Sequence, residues 1–213
     1  MFKDREDAAR RLLQRLKRYR GERPLVLGIP RGAMGMAKII ADGLDGELGA
    51  VLVRKVPAPG NEELAIGSVG LSGHVVKLSR PDTMDIPDSY LYESARRQLE
   101  TLKQRQKKFG LVEPGGKGRT VIVVDDGIAT GATTMAAIHE VRSQHPKKLV
   151  LATAVCSPRM SSRIRAMVDE FVVLSEPEWF SAVSQLFENF PQVTDDEVVL
   201  ILNSARNSPP SGA

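Results

Sequence analysis

The chain has 213 residues, 42% of them hydrophobic and 26% charged, a balance that excludes a disordered polyelectrolyte or a fibrous repeat. At this length folding buries roughly 70% of the unfolded surface, enough for a core without metal or disulfide support. Thirty Lys and Arg against 26 Asp and Glu give a net charge of +4, which suits anionic ligands but is too small to indicate a nucleic-acid partner.

Met1-Phe2-Lys3-Asp4-Arg5 leads into charged residues, not into the apolar region of a signal peptide. No stretch reaches the roughly 18 consecutive apolar residues of a spanning helix. A soluble, cytoplasmic chain without a membrane partner is expected. Asp4 is placed to cap a helix running to about Arg18, with Ala8, Leu12, Leu13 and Leu16 on one face. Gly21 ends it. Leu25 to Ile29 is a continuous apolar run, the pattern of a strand covered on both faces. Pro30-Arg31-Gly32-Ala33 turns the chain into a helix ending near Leu44, and Leu48 to Val53 is a second apolar strand. Arg54 to Gly67, with Pro57, Pro59 and Gly60, has the composition of a mobile loop.

Ile66 to Val69 and Val75 to Leu78 flank Ser72-Gly73 as a short hairpin. Asp88, a candidate cap, opens a helix to about Lys108 whose basic end suits the helix dipole. Strand Val121 to Val124, the turn Asp125 to Gly131 and a helix from about Ala132 to His145 follow. Leu149 to Cys156 is another buried strand, and its Cys156, the single cysteine, fits a reducing compartment. Ser161 to Met167 reads as a helix, Glu170 to Leu174 as a last strand, and Asp195 as the cap of a final helix. Trp179, Phe180, Phe187 and Phe190 cluster before it. The alternation of strand and helix predicts an α/β fold: a parallel sheet with helices on both faces and ligands at the carboxyl ends of the strands.

The turn Asp125-Asp126-Gly127-Ile128-Ala129-Thr130-Gly131-Ala132-Thr133-Thr134 places small residues and hydroxyls where a strand hands over to a helix. Unpaired N–H groups converge there at the positive end of a dipole, which forms a phosphate cup. Hydrogen bonds to a charged group contribute roughly 1.5 to 3 kcal/mol each and outweigh the dipole's roughly 0.3 to 1 kcal/mol. The two acids would repel a phosphate beside them and are suited to hydroxyls or a divalent cation, so a ribose 5-phosphate satisfies both ends. The alternative is a buried strand whose polar end merely caps the next helix. Gly28-Ile29-Pro30-Arg31-Gly32 lacks the Gly-x-Gly-x-x-Gly spacing, and neither a Gly-x-x-x-x-Gly-Lys-Ser/Thr loop nor a Gly-x-Ser-x-Gly elbow occurs. His74, His139 and His145 have no ligand-like spacing.

Val121 to Thr133 resembles the PRPP-binding signature of type I phosphoribosyltransferases: four apolar residues, two acids, a short link and a Thr-Gly loop. Pro30-Arg31-Gly32-Ala33 is similar to that family's pyrophosphate loop, and Arg54-Lys55 to its basic pair. From Phe2 to about Leu202, including Glu63 to Gly67 and Pro177 to Phe180, the chain is similar to bacterial phosphoribosyltransferases of unassigned substrate. The resemblance implies a five-stranded parallel sheet in order 3-2-1-4-5 with flanking helices. It implies one domain over 1–207, a small hood from about 1–20 and 176–205, and a disordered tail over 208–213.

It also implies roles. Asp125 and Asp126 hold the ribose hydroxyls and help organise Mg²⁺ through those hydroxyls or water. Ala129, Thr130, Gly131, Ala132, Thr133 and Thr134 wrap the 5-phosphate. Arg31 and Gly32, with a cis peptide between them, meet the pyrophosphate together with Arg54 and Lys55, the latter pair in cis or in a homodimer partner's site. The implied reaction transfers phosphoribosyl from PRPP to a small nitrogenous acceptor, a nucleobase among the candidates. A PRPP- or nucleotide-sensing protein without catalysis is the alternative. Ala129 stands where hypoxanthine and guanine members carry an Asp, whereas adenine members also carry Ala. Ser157, Trp179 and Phe180 are candidate acceptor contacts; their bland readings are a strand-end turn and hood packing. Asn61, Glu62 and Glu63 read either as a closing loop or as plain surface.

Overall fold

The computed structural model describes residues 1–78, 85–111, 115–179 and 182–207. In chain order the elements are α1 (Arg5–Leu16), β1 (Leu25–Gly28), α2 (Met34–Gly43), β2 (Glu47–Ala50), β3 (Val53–Ala58), β4 (Asn61–Gly70), β5 (Val75–Lys77) and α3 (Asp88–Phe109). There follow β6 (Thr120–Asp125), α4 (Ala132–Arg142), β7 (Lys148–Val155), α5 (Pro158–Arg165), β8 (Glu170–Ser175) and α6 (Asp195–Asn207). The tail over 208–213 lies outside the described residues.

The strands that read as unbroken apolar runs form the five-stranded parallel sheet, ordered β2-β1-β6-β7-β8. Burial on both faces explains their composition. On one face Leu12 and Leu16 of α1 and Met36 and Ile40 of α2 pack on Val26, Ile122, Val124 and Val150. On the other, Ile138 and Val141 of α4 and Ile164 of α5 pack on Leu25, Leu27, Val121 and Leu149. The expected order 3-2-1-4-5 is corrected. The strand third in the chain, β3, leaves this sheet and pairs antiparallel with β4, which pairs with β5, in a separate three-stranded sheet.

The segment expected as a mobile loop is thus largely strand. Pro57 lies where the β3–β4 register shifts, on an edge strand, which is where a residue without an N–H is tolerated in a sheet. This sheet closes a third apolar cluster: Val56, Ile66 and Val69 meet Leu91, Leu102 and Phe109 of α3 and Val198 and Leu202 of α6.

Three helix starts also differ from expectation. Pro87, not Asp88, precedes α3. α5 begins at Pro158, whose fixed φ suits a first helical turn. Before α6 it is Thr194 that caps: its hydroxyl accepts from the Glu197 N–H at 3.2 Å while its own N–H donates to the Glu197 carboxylate at 2.7 Å, a reciprocal capping box. Asp195 is thereby left for ion pairs.

The first residues of the chain meet the segment that precedes α6. Phe2 N–H donates to Leu186 O at 2.8 Å, and Glu188 N–H donates to Phe2 O at 2.9 Å. The Phe2, Phe187 and Phe190 rings stack in sequence with centroids 5.3 and 4.8 Å apart. α1 packs in the layer covering the sheet, and Phe2, Lys3 and Arg5 hydrogen-bond to residues 186–191.

A buried carboxylate fastens the antiparallel sheet to α4. Glu140 accepts from the Ser72 N–H at 2.8 Å and from its hydroxyl at 2.6 Å. Ser72→Ala leaves one of those oxygens without its donor and is expected to cost about 1 to 3 kcal/mol in urea denaturation. Ser162→Ala on the exposed side of α5 is expected to change stability by less than about 0.5 kcal/mol.

Candidate active site

Adjacent parallel strands end at the same edge, so pairing β1 with β6 brings the turns that follow them side by side. Backbone bonds extend the register past the strands. Ile29 N–H donates to Val124 O at 3.0 Å, Ile128 N–H to Val155 O at 2.8 Å, and Ser157 N–H to Ile128 O at 3.2 Å. The turn after β6 is therefore fixed between its neighbours. Between the two turns lies a cavity of about 300 Å³ lined by Ile29 to Gly32, Asp125 to Thr134, and Val183.

The chemistry follows from how that turn is built. Gly131 precedes α4 with φ +73°, a conformation that costs an L-residue with a side chain roughly 1 to 2 kcal/mol. Thr130 and Thr133 are exposed in the cavity wall, beside the first α4 N–H groups, which have no acceptor within the helix. Thr134 is buried, and its hydroxyl donates to Asp125 Oδ2 at 2.6 Å. Its hydroxyl therefore ties the helix start to the acid, and Thr134 lines the cavity with the other residues expected around a phosphate.

Asp125 and Asp126 are adjacent carboxyl groups with different partners. Burial, and then the Asp126 charge, push the Asp125 carboxyl up to about 7, against the pull of the Thr134 hydroxyl and the Asp126 and Gly127 N–H groups. Asp126 Oδ2 accepts from Arg5 Nε at 2.8 Å, with side-chain exposures of 15% for Arg5 and 17% for Asp126. Against the same oxygen stands Gly32, where a Cβ would overlap it. Nothing in the sequence marks Arg5 for this place, because a basic residue opening an amphipathic helix ordinarily faces water. It is the meeting of the first residues with the segment before α6 that accompanies this placement.

A second cavity of about 300 Å³ adjoins the first. Arg5, Arg31, Gly32 and Asp126 form one side and Phe190 to Val193 the other. Arg31 lines both cavities, and its guanidinium lies 3.7 Å from Asp195. Asp195 also accepts from Arg105 at 2.6 Å, and that bond holds its carboxyl below the usual range. The cis peptide bond is Pro30–Arg31, one position before the Arg31–Gly32 bond that was expected.

Other anticipated residues stand apart. Arg54 and Lys55 are exposed on β3 and line neither cavity. Ser157 precedes α5 and makes a long 3.5 Å contact with Ala129 O, so it meets turn backbone. Trp179 is 89% exposed and lines neither cavity, and Phe180 lies outside the described residues. Cys156 is buried, which pushes its thiol up to about 12 and leaves no thiolate for chemistry at neutral pH. Among the described residues no three His, Cys, Asp or Glu side chains converge as a metal cage, and no helix is long and apolar enough to cross a membrane.

The phosphoribosyl transferase domain family matches residues 2–189. The chain belongs to that family. It is 38% identical to two Mycobacterium tuberculosis proteins, from strains CDC 1551 and H37Rv, each named "Putative phosphoribosyl transferase". Those alignments cover 96% of this chain and 47% of each relative, so the chain spans about half the length of the curated relatives it matches. The crystal structure of TT1426 from Thermus thermophilus superposes with a TM-score of 0.83 at 42% identity, covering 95% of this chain and 98% of that one.

The Asp125 environment has a measurable consequence. Its folded carboxyl titrates above the unfolded value of 3.8, so the folded state holds the proton more tightly. The stability linked to that proton is complete below about pH 4 and is lost as pH rises through about 7. Asp125→Asn keeps an acceptor for Thr134 and cannot ionise. Between pH 5 and 8 the ligand-free wild type is expected to lose stability relative to Asp125→Asn in urea titrations.

Proposed function

We propose that this chain transfers the 5-phosphoribosyl group of PRPP to a nitrogen of a small acceptor, with Mg²⁺ and release of pyrophosphate. The reading is carried by one observation: the acidic doublet and the helix-opening turn line a single cavity of about 300 Å³. The C1–oxygen bond of PRPP breaks with its electron pair leaving on pyrophosphate. The acceptor's nitrogen lone pair forms the new C1–nitrogen bond, and the nitrogen's proton passes to water or pyrophosphate.

In this reading the amides of 129–133 and the Thr130 and Thr133 hydroxyls bind the 5-phosphate, while Thr134 steadies Asp125. Asp125 and Asp126 accept from the ribose hydroxyls and stabilise positive charge growing on the ring. Arg31, with the Arg31 and Gly32 N–H groups, receives the pyrophosphate. The donor set fits Mg²⁺, which keeps several waters and takes one or two carboxylates plus substrate phosphate oxygens in place of an all-protein cage. When bound, the ion offsets charge on the leaving pyrophosphate.

Arg54 and Lys55 stand on the outer face of the β3–β4 hairpin, so their part in pyrophosphate binding requires either that hairpin to close or a second copy of the chain to approach. The acceptor is assigned to the second cavity. Ala129 supplies no carboxylate for a purine nitrogen, and Trp179 does not line that cavity, so acceptor recognition falls to Arg31 and the Phe190 to Val193 wall.

Calorimetry with PRPP and Mg²⁺ tests the donor half. Wild type is expected to bind, Asp126→Asn to bind at least about tenfold more weakly through loss of charge-assisted hydrogen bonding, and Gly131→Val to show no binding. Equal affinity in all three overturns the site. Pyrophosphate release across a panel of purines, pyrimidines and other amines tests the transfer half. PRPP binding without release across that panel indicates a PRPP-sensing protein.

A further inference from the structure

Arg5 opens α1, 121 residues before Asp126, at the end of the helix where the dipole disfavours a cation. Its guanidinium is nevertheless held on three sides. Nε donates to Asp126 Oδ2 at 2.8 Å, Nη1 donates to Pro191 O at 2.7 Å, and the guanidinium carbon lies 3.5 Å from the centre of the Phe190 ring. Charge-assisted hydrogen bonds with a planar fork and a stacked ring fix direction as well as energy.

The acid is fixed in turn. Oδ2 is enclosed between Arg5 and Gly32, where a Cβ would overlap it. Oδ1 has no hydrogen-bond partner among the described residues, and Asp126 lines both cavities. We infer that Arg5 is a positioning residue: it holds the Asp126 carboxylate by Oδ2, so that Oδ1 is presented to a ribose hydroxyl, and it ties that presentation to the Phe190–Val193 wall. The inference rests on the phosphoribosyl reading.

A simple structural role and a positioning role differ in what they do to discrimination. Three probes separate them by calorimetry: ribose 5-phosphate, 2,3-dideoxyribose 5-phosphate and inorganic phosphate. Wild type is expected to prefer the ribose over the dideoxyribose compound by at least about tenfold, the equivalent of one hydrogen bond to a charged group. In Arg5→Met that preference is expected to fall to roughly threefold or less, while inorganic phosphate, which needs only the turn, keeps its affinity within about twofold.

If all three affinities drop together and the preference survives, Arg5 is merely structural and the inference is overturned. If wild type prefers the ribose and Arg5→Met keeps that preference undiminished, the inference fails while the phosphoribosyl reading stands. If wild type itself shows no preference, the ribose role of the doublet fails and takes the inference with it. Should Arg5→Met not fold, Arg5→Gln, which retains a donor for Pro191 O, carries the same comparison: a reduced preference supports the positioning role and an undiminished one overturns it.

Discussion

Two carboxylates on consecutive residues at the end of a buried strand repel each other, and the more strongly the less water reaches them. The site depends on how that repulsion is contained. One acid is given a hydroxyl, from Thr134 at the start of α4, and is raised toward neutrality. The other is given a guanidinium from α1. The two countermeasures come from opposite faces of the sheet, so the doublet is stable only when both helical layers are in place. An acidic pair that would otherwise burden the fold becomes fixed and asymmetric: one carboxyl accepts from Thr134 at the start of α4, the other from Arg5, with Gly32 against it.

Much of this is legible in the sequence where it is local. Val121 to Thr134 carries strand, acids, turn and helix start in one short stretch, and its geometry follows from that stretch alone. β1 and β7 read as buried strands because both their faces are covered by helices. The antiparallel sheet is harder to see, because Pro57, Pro59 and Gly60 have loop composition. Edge position and a register shift let them sit within or beside strands. The expected sheet order fails at the same place, since β3 belongs to this second sheet and not to the parallel one.

Contacts between distant segments are not legible. Arg5 and Asp126 are joined by no periodicity or motif, and neither are Glu140 and Ser72. Asp195 has the residue type of a cap, yet Thr194 does the capping while Asp195 gathers Arg31, Arg105 and Lys108. The anticipated acceptor contacts rest on residue type in the same way. Trp179 is exposed, Ser157 meets the Ala129 carbonyl at 3.5 Å, and neither lines the two cavities. The cavity beside the doublet is instead walled by arginines and by Phe190 to Val193, and Phe190 already has Arg5 on its ring.

A crystal structure of the chain soaked with ribose 5-phosphate is the most direct measurement. The expected result is phosphate density on the N–H groups of 129–133 with the sugar hydroxyls facing Asp125 and Asp126. Phosphate bound elsewhere, or at that turn with the sugar directed away from both aspartates, would contradict the shared cradle on which the proposed chemistry rests.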